Sequence, residues 1–234
     1  PDCRVMAISR GEGFEVILLR ADTIGMFQQL RRALVLELQE RTGRDLDHAL
    51  VIGSTHTHSG PGRVIDGGGP FDLIADRFFP EFYERMVDAM ADAVEAALDD
   101  LKPGRVGYGF ADAPDGIDDR RCEDGLTYEN STLPVIAVEQ EGELAGLHLA
   151  YAIHGTVQGI DDLLLSQDVS GGIEQAVQDR FDHDVHVQMF NSWGADMSPS
   201  NPNVATREGA PQYDGFDQTE RVGIVVADAV EAEL

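Results

Sequence analysis

The stretch Ser54-Thr55-His56-Thr57-His58-Ser59-Gly60-Pro61-Gly62 sets two imidazoles, one residue apart, between the apolar run 49–52 and a Gly/Pro turn. An imidazole can ligate a metal, carry a proton near neutral pH, or serve as a hydrogen-bonded core residue. Two other segments share this setting. His154, Gly155 and Thr156 follow the apolar run 147–153, and Asn191, Ser192, Asp196 and Ser198 follow the run 185–190. Ligands of open α/β sheets collect just beyond the carboxyl ends of strands. His56, His58 and His154 are therefore candidates for a metal site or for proton transfer. On an extended backbone residues two apart point to one side, so one of His56 and His58 can bind a metal while the other faces a substrate. Nitrogen ligands favour zinc among common metals, and two ligands of one ion bring their nitrogens within roughly 3–4 Å. Neither HExxH nor paired CxxC occurs, so spacing alone does not assign the metal. Ser198 reads as a turn residue before Pro199, or as an activated hydroxyl outside the G-x-S-x-G pattern. His48, His148, His183 and His186 read as structural or surface residues.

The elements that must position these groups are legible as alternating strands and helices. Residues 4–9 and 14–22 read as a hairpin, with Thr23 capping a helix that Gly43 closes. Residues 48–55 form a short apolar strand expected to be buried on both faces. Pro80 and Pro103 bracket a long helix whose stripe is Phe82, Met86, Met90, Val94, Leu98 and Leu101. Strands follow at 105–113, 133–140 and 144–155, the last two turning at 141–143. Next come a helix from about Ser170, a strand at 184–191, and a helix from about Gln218. This predicts one α/β unit, 1–234: a layered sandwich of mixed β-sheet flanked by helices, with the site at the carboxyl ends of strands. The stretch 201–216 is expected to cover a site.

Composition removes several function classes. A hydrophobic content of 42% over 234 residues supports a core, and no apolar run reaches the length of a bilayer span. The net charge is -26, from 43 acidic and 17 basic residues, and Lys102 is the only lysine. Such a surface repels nucleic acid and anionic membranes. Cys3 and Cys122 allow one bridge or two free thiols. The chain starts at Pro1 with no signal-peptide pattern.

Taken together and in order, "THTHSGPG", "AIHGT" and "GADMSPS" resemble the neutral/alkaline ceramidase family, whose members carry THTHSGPGG, HGT and GDVSPN. "RVGYGFADA" and "LLLSQDVSGGIEQAV" also look like that family's intervening strand and helix, so the resemblance covers most of the chain. It implies zinc-dependent hydrolysis of the amide of ceramide, releasing sphingosine and a fatty acid, in a secreted or periplasmic setting. His56 and His154 match the zinc histidines. His58 matches the neighbouring histidine that faces the substrate amide. Arg120 matches a pocket arginine, with Asp119 where the family has asparagine and Arg121 as the alternative. Ser198 matches the hexapeptide serine, either the nucleophile or a pocket residue beside an attacking water.

Arg63, Ala195 and Ser200 depart from the family motifs. The family's zinc site is completed by a later glutamate and tyrosine, and an immunoglobulin-like domain follows. The resemblance therefore implies a front part of the catalytic domain, and weak zinc binding is expected. Two alternatives remain: a related hydrolase of another N-acyl or ester substrate, and a non-catalytic relative that binds a lipid or a partner.

Overall fold

The computed structural model describes residues 2–11, 13–61, 64, 78–121, 130–158, 163–200 and 215–234. Arg63, Cys122 and most of the 201–216 stretch lie outside them. The chain divides into two compact units, 1–54 with 60–102, and 55–59 with 103–234.

The first unit is built on β1 (Cys3–Ser9), β2 (Glu15–Ala21) and β3 (Leu50–Ser54), in that order. β1 and β2 form the expected hairpin, and β3 runs parallel to β2. Alternation on β2 sends Ile17, Leu19 and Ala21 into a core with Leu30, Leu34 and Leu38 of α1 (Gln28–Thr42). Val87, Met90, Ala91 and Val94 of α2 (Pro80–Asp99) complete it. The α2 stripe is narrower than its sequence suggests: Phe82 and Leu101 at its ends are exposed. Thr23 does not cap α1. Its hydroxyl donates to the Gly25 carbonyl, and the helix starts four residues later than the apolar pattern does, behind Phe27. Gly43 closes it in a left-handed conformation (φ 68°), as expected. β3 is not buried on both faces: Val51 is exposed, and among the described residues the strand pairs only with β2, at the edge of the sheet.

The second unit centres on a mixed sheet ordered β4 (Arg105–Asp112), β6 (Thr132–Gln140), β7 (Glu143–Tyr151) and β8 (His186–Asn191). β6 and β7 turn through Glu141 and Gly142, both with positive φ, as a two-residue type I′ hairpin requires. β8 is parallel to β7, so the two strands deliver their carboxyl ends to the same edge. Leu133, Val135, Leu147, Leu149, Val187 and Met189 pack with Val169, Ile173 and Val177 of α3 (Asp168–Gln178). Val222, Val226 and Val230 of α4 (Gly215–Glu233) join the same core. A side chain at Gly223 would come within 2.5 Å of the Gly172 carbonyl oxygen, so two glycines set the close approach of α3 and α4. Sequence patterning misses a two-stranded sheet, β5 (Ile117–Asp119) with β9 (Met197–Pro199). Ser198 therefore lies in a strand, opposite Asp118, and not in a turn.

Candidate metal and active site

Both histidine-bearing segments belong to the second unit. Thr55 and Thr57 are buried and anchor the first: the Thr55 carbonyl accepts from Ser170 Oγ (3.2 Å), and Thr57 Oγ1 donates to the Ser166 carbonyl (2.8 Å). His56 has φ 57°, a left-handed conformation, so the extended-strand argument for His56 and His58 does not hold. The two rings nevertheless meet edge to face, with centroids 5.2 Å apart. The second segment leaves β7 through Ile153, and the His154 N–H donates to the Met197 carbonyl at 2.8 Å. Gly155 joins the segments. Its carbonyl accepts from His58 N–H at 3.1 Å, and a Cβ there would lie 2.7 Å from the His56 carbonyl oxygen. Only a residue without a side chain permits that approach.

The result is a cluster. One ligand atom from each of His56, His58 and His154 lies within 4.8 Å of the others. The His56 and His154 centroids are 4.5 Å apart, and those of His58 and His154 are 5.0 Å apart. Nitrogens bound to one tetrahedral zinc sit roughly 3.3 Å apart, inside the 4.8 Å within which these atoms lie. Burial pushes the His154 pKa down to about 4, helped by His56 and Arg120 and opposed by the Gly194 carbonyl. Burial, then His56, also lowers the His58 pKa, while Asp168 pulls it up. His154 is therefore neutral at pH 7, the form that ligates metals. The donor set fits a borderline-soft divalent ion such as zinc.

The His154 Nδ1 atom has two neighbours that require opposite tautomers: the Gly194 carbonyl at 3.3 Å and Arg120 Nη2 at 3.4 Å. Arg120 Nη2 already donates to the Ala195 carbonyl at 2.6 Å. The Gly194 carbonyl can only accept, so Nδ1–H faces it and the Nε2 lone pair is free for a ligand. Arg120 thus stands beside the cluster, held also by its N–H to the Asp196 carbonyl; Arg120 and Arg121 are both exposed, and the Arg121 N–H donates to the Asp119 carboxylate instead. Ser198 is one residue from the Met197 carbonyl that fixes His154. Among the described residues its hydroxyl hydrogen-bonds to no histidine. Met197 and Pro199 are buried and Ser198 is half-buried, so alternation turns it to the opposite face of β9.

Residues 4–206 match the family described as neutral/alkaline non-lysosomal ceramidase, N-terminal. The chain belongs to this family. It is 25% identical over 229 residues to the neutral ceramidase of Pseudomonas aeruginosa, a match covering 91% of this chain and 33% of that protein. The crystal structure of neutral ceramidase from the same organism superposes with a TM-score of 0.80 at 21% identity, over 96% of this chain and 37% of that one. A ceramidase complexed with C2 gives the same score and identity. The chain therefore spans about a third of the length of the relatives it matches, and it shares their mixed-sheet α/β fold. Among the described residues no helix is long and apolar enough to cross a membrane.

Sequence reasoning found the three histidines because each follows an apolar run. It named Thr57 and Gly155 only as neighbours of the histidines, and it did not single out Asp168 or Gly194, whose carbonyl faces His154 Nδ1. A serine two residues before an aspartate, at the start of α3, was the one local signal for Asp168.

Proposed function

We propose that this chain carries the zinc-holding histidines of an amidohydrolase that cleaves the N-acyl amide of ceramide to sphingosine and a fatty acid. The convergence of His56 and His154 from separate motifs supports this reading most, together with membership of the ceramidase family. Zinc bound there supplies a Lewis acid for the amide carbonyl and a more acidic water. His58, exposed beside the two ligands, faces the substrate amide. His58 and Arg120 donate N–H bonds to the oxygen that gains negative charge, each worth about 2–4 kcal/mol. A nucleophilic serine needs a base at hydrogen-bond distance, and the Ser198 hydroxyl has no histidine partner among the described residues. Ser198 is therefore assigned to the pocket wall, with water as the attacking group.

The test is release of labelled fatty acid from ceramide by metal-free and zinc-restored protein. This chain should hydrolyse ceramide slowly or not at all, and the full-length protein should require zinc and lose turnover in His56→Ala. Hydrolysis undiminished in a strong chelator, or none by the full-length protein at saturating zinc, would overturn the assignment.

A further inference from the structure

The Asp168 side chain is buried at the first residue of α3, with a left-handed backbone (φ 55°). Its carboxylate accepts three backbone N–H groups: Val157 at 3.0 Å, Gln158 at 3.0 Å and Val169 at 2.6 Å. Val157 and Gln158 are the third and fourth residues after His154. The Asp168 N–H donates to Ser166 Oγ at 2.9 Å. Ser166 reaches the other histidine segment: its carbonyl accepts from Thr57 Oγ1, and its N–H donates to the Ser59 carbonyl, both at 2.8 Å. One carboxylate thus fixes the loop behind His154, and its own backbone ties into the segment that carries His56 and His58.

We propose that Asp168 is the positioning residue of the histidine cluster, setting the spacing between its two segments and so its affinity for metal; this rests on the metal reading above. A carboxylate suits the task because both oxygens accept and neither donates. Asparagine keeps the shape but turns an NH2 group toward one of the loop N–H donors, leaving buried donors unpaired. Outer partners of metal-binding histidines act in this way, and their loss typically weakens metal binding ~10–100-fold.

The experiment is a zinc competition titration of the whole chain, run beside equilibrium unfolding, for wild type, Asp168→Asn and Glu174→Gln. Glu174 is also a buried carboxylate on α3, but its oxygen accepts from Met189 N–H in β8 at 2.8 Å. Asp168→Asn should bind zinc at least tenfold more weakly, whereas Glu174→Gln should lose stability and keep its zinc affinity. Thr57→Val removes the tie to Ser166 together with the bond that the Thr57 hydroxyl accepts from Ser59 N–H at 3.1 Å, and it should weaken zinc binding in the same direction even if Asp168→Asn does not fold. Wild-type affinity in Asp168→Asn, or equal losses in Asp168→Asn and Glu174→Gln, would overturn the proposal. If the wild type binds no zinc, the metal reading falls and amide exchange decides separately on Asp168. Faster exchange at His58, Val157 and Gln158 in Asp168→Asn would uphold the positioning role, and unchanged exchange would remove it.

Discussion

Replacing Gly155 with alanine adds one methyl group where the two histidine segments touch. That methyl would lie 2.7 Å from the His56 carbonyl oxygen and 3.0 Å from both the His56 carbonyl carbon and Thr57 Cα. All three are backbone atoms, so no side chain can rotate away. Restoring ordinary contact near 3.4 Å requires the segments to part by about 0.7 Å. Gly155 does not have a positive φ, so alanine adds no backbone strain and the perturbation is purely steric. Overpacking of this kind costs about 1–3 kcal/mol. It also moves His56 and His58 away from His154, and the His58 N–H to Gly155 carbonyl bond lengthens with them. Urea unfolding followed by amide protection in β7, with zinc titration of the same samples, measures both effects. The expected result is a loss of about 1–3 kcal/mol and at least a tenfold loss of zinc affinity. Gly155→Ala with unchanged stability and affinity would refute the claim that close approach at Gly155 sets the cluster.

His148 predicts a pH dependence unrelated to the metal. It is buried on β7 against Gln188 and Phe190, and burial followed by repulsion from His186 lowers its pKa from 6.5 to about 4. Above pH 6.5 neither state protonates it; between 6.5 and about 4 only the unfolded chain does, so about 3 kcal/mol of stability should be lost across that window. Exchange protection at Leu147 and Leu149 measures this loss, and His148→Gln should flatten it. Tyr151→Phe removes the buried hydroxyl that donates to the Ala113 carbonyl at 2.5 Å; unfolding should show a loss of about 1–3 kcal/mol. Ser198→Ala should leave a measurable rate of ceramide hydrolysis, since a wall residue contributes less than a nucleophile, whereas complete loss would return the serine to the attacking role.

How much of this was legible in the chain depended on distance along it. The sheet strands, Gly43 and the helix of 80–99 follow from periodicity and from glycine and proline chemistry, which act over a few residues. The strand-end histidines were visible for the same reason. Thr23 misled because its hydroxyl found the Gly25 carbonyl, a local alternative to capping. Ser198 read as a turn because β5 and β9 are three residues each, too short to show alternation. The left-handed turn at His56 and the role of Asp168 arise from N–H donors and carbonyls far away in sequence, which side-chain patterning does not encode.

The central claim is that His56 and His154 hold one metal ion. Zinc content after equilibration and desalting, compared among wild type, His56→Ala, His154→Ala and the double variant, tests it most directly. Wild type should hold up to one zinc per chain, with near-complete loss in each single variant and no further loss in the double. Retention of zinc by the double variant at the wild-type level would contradict it.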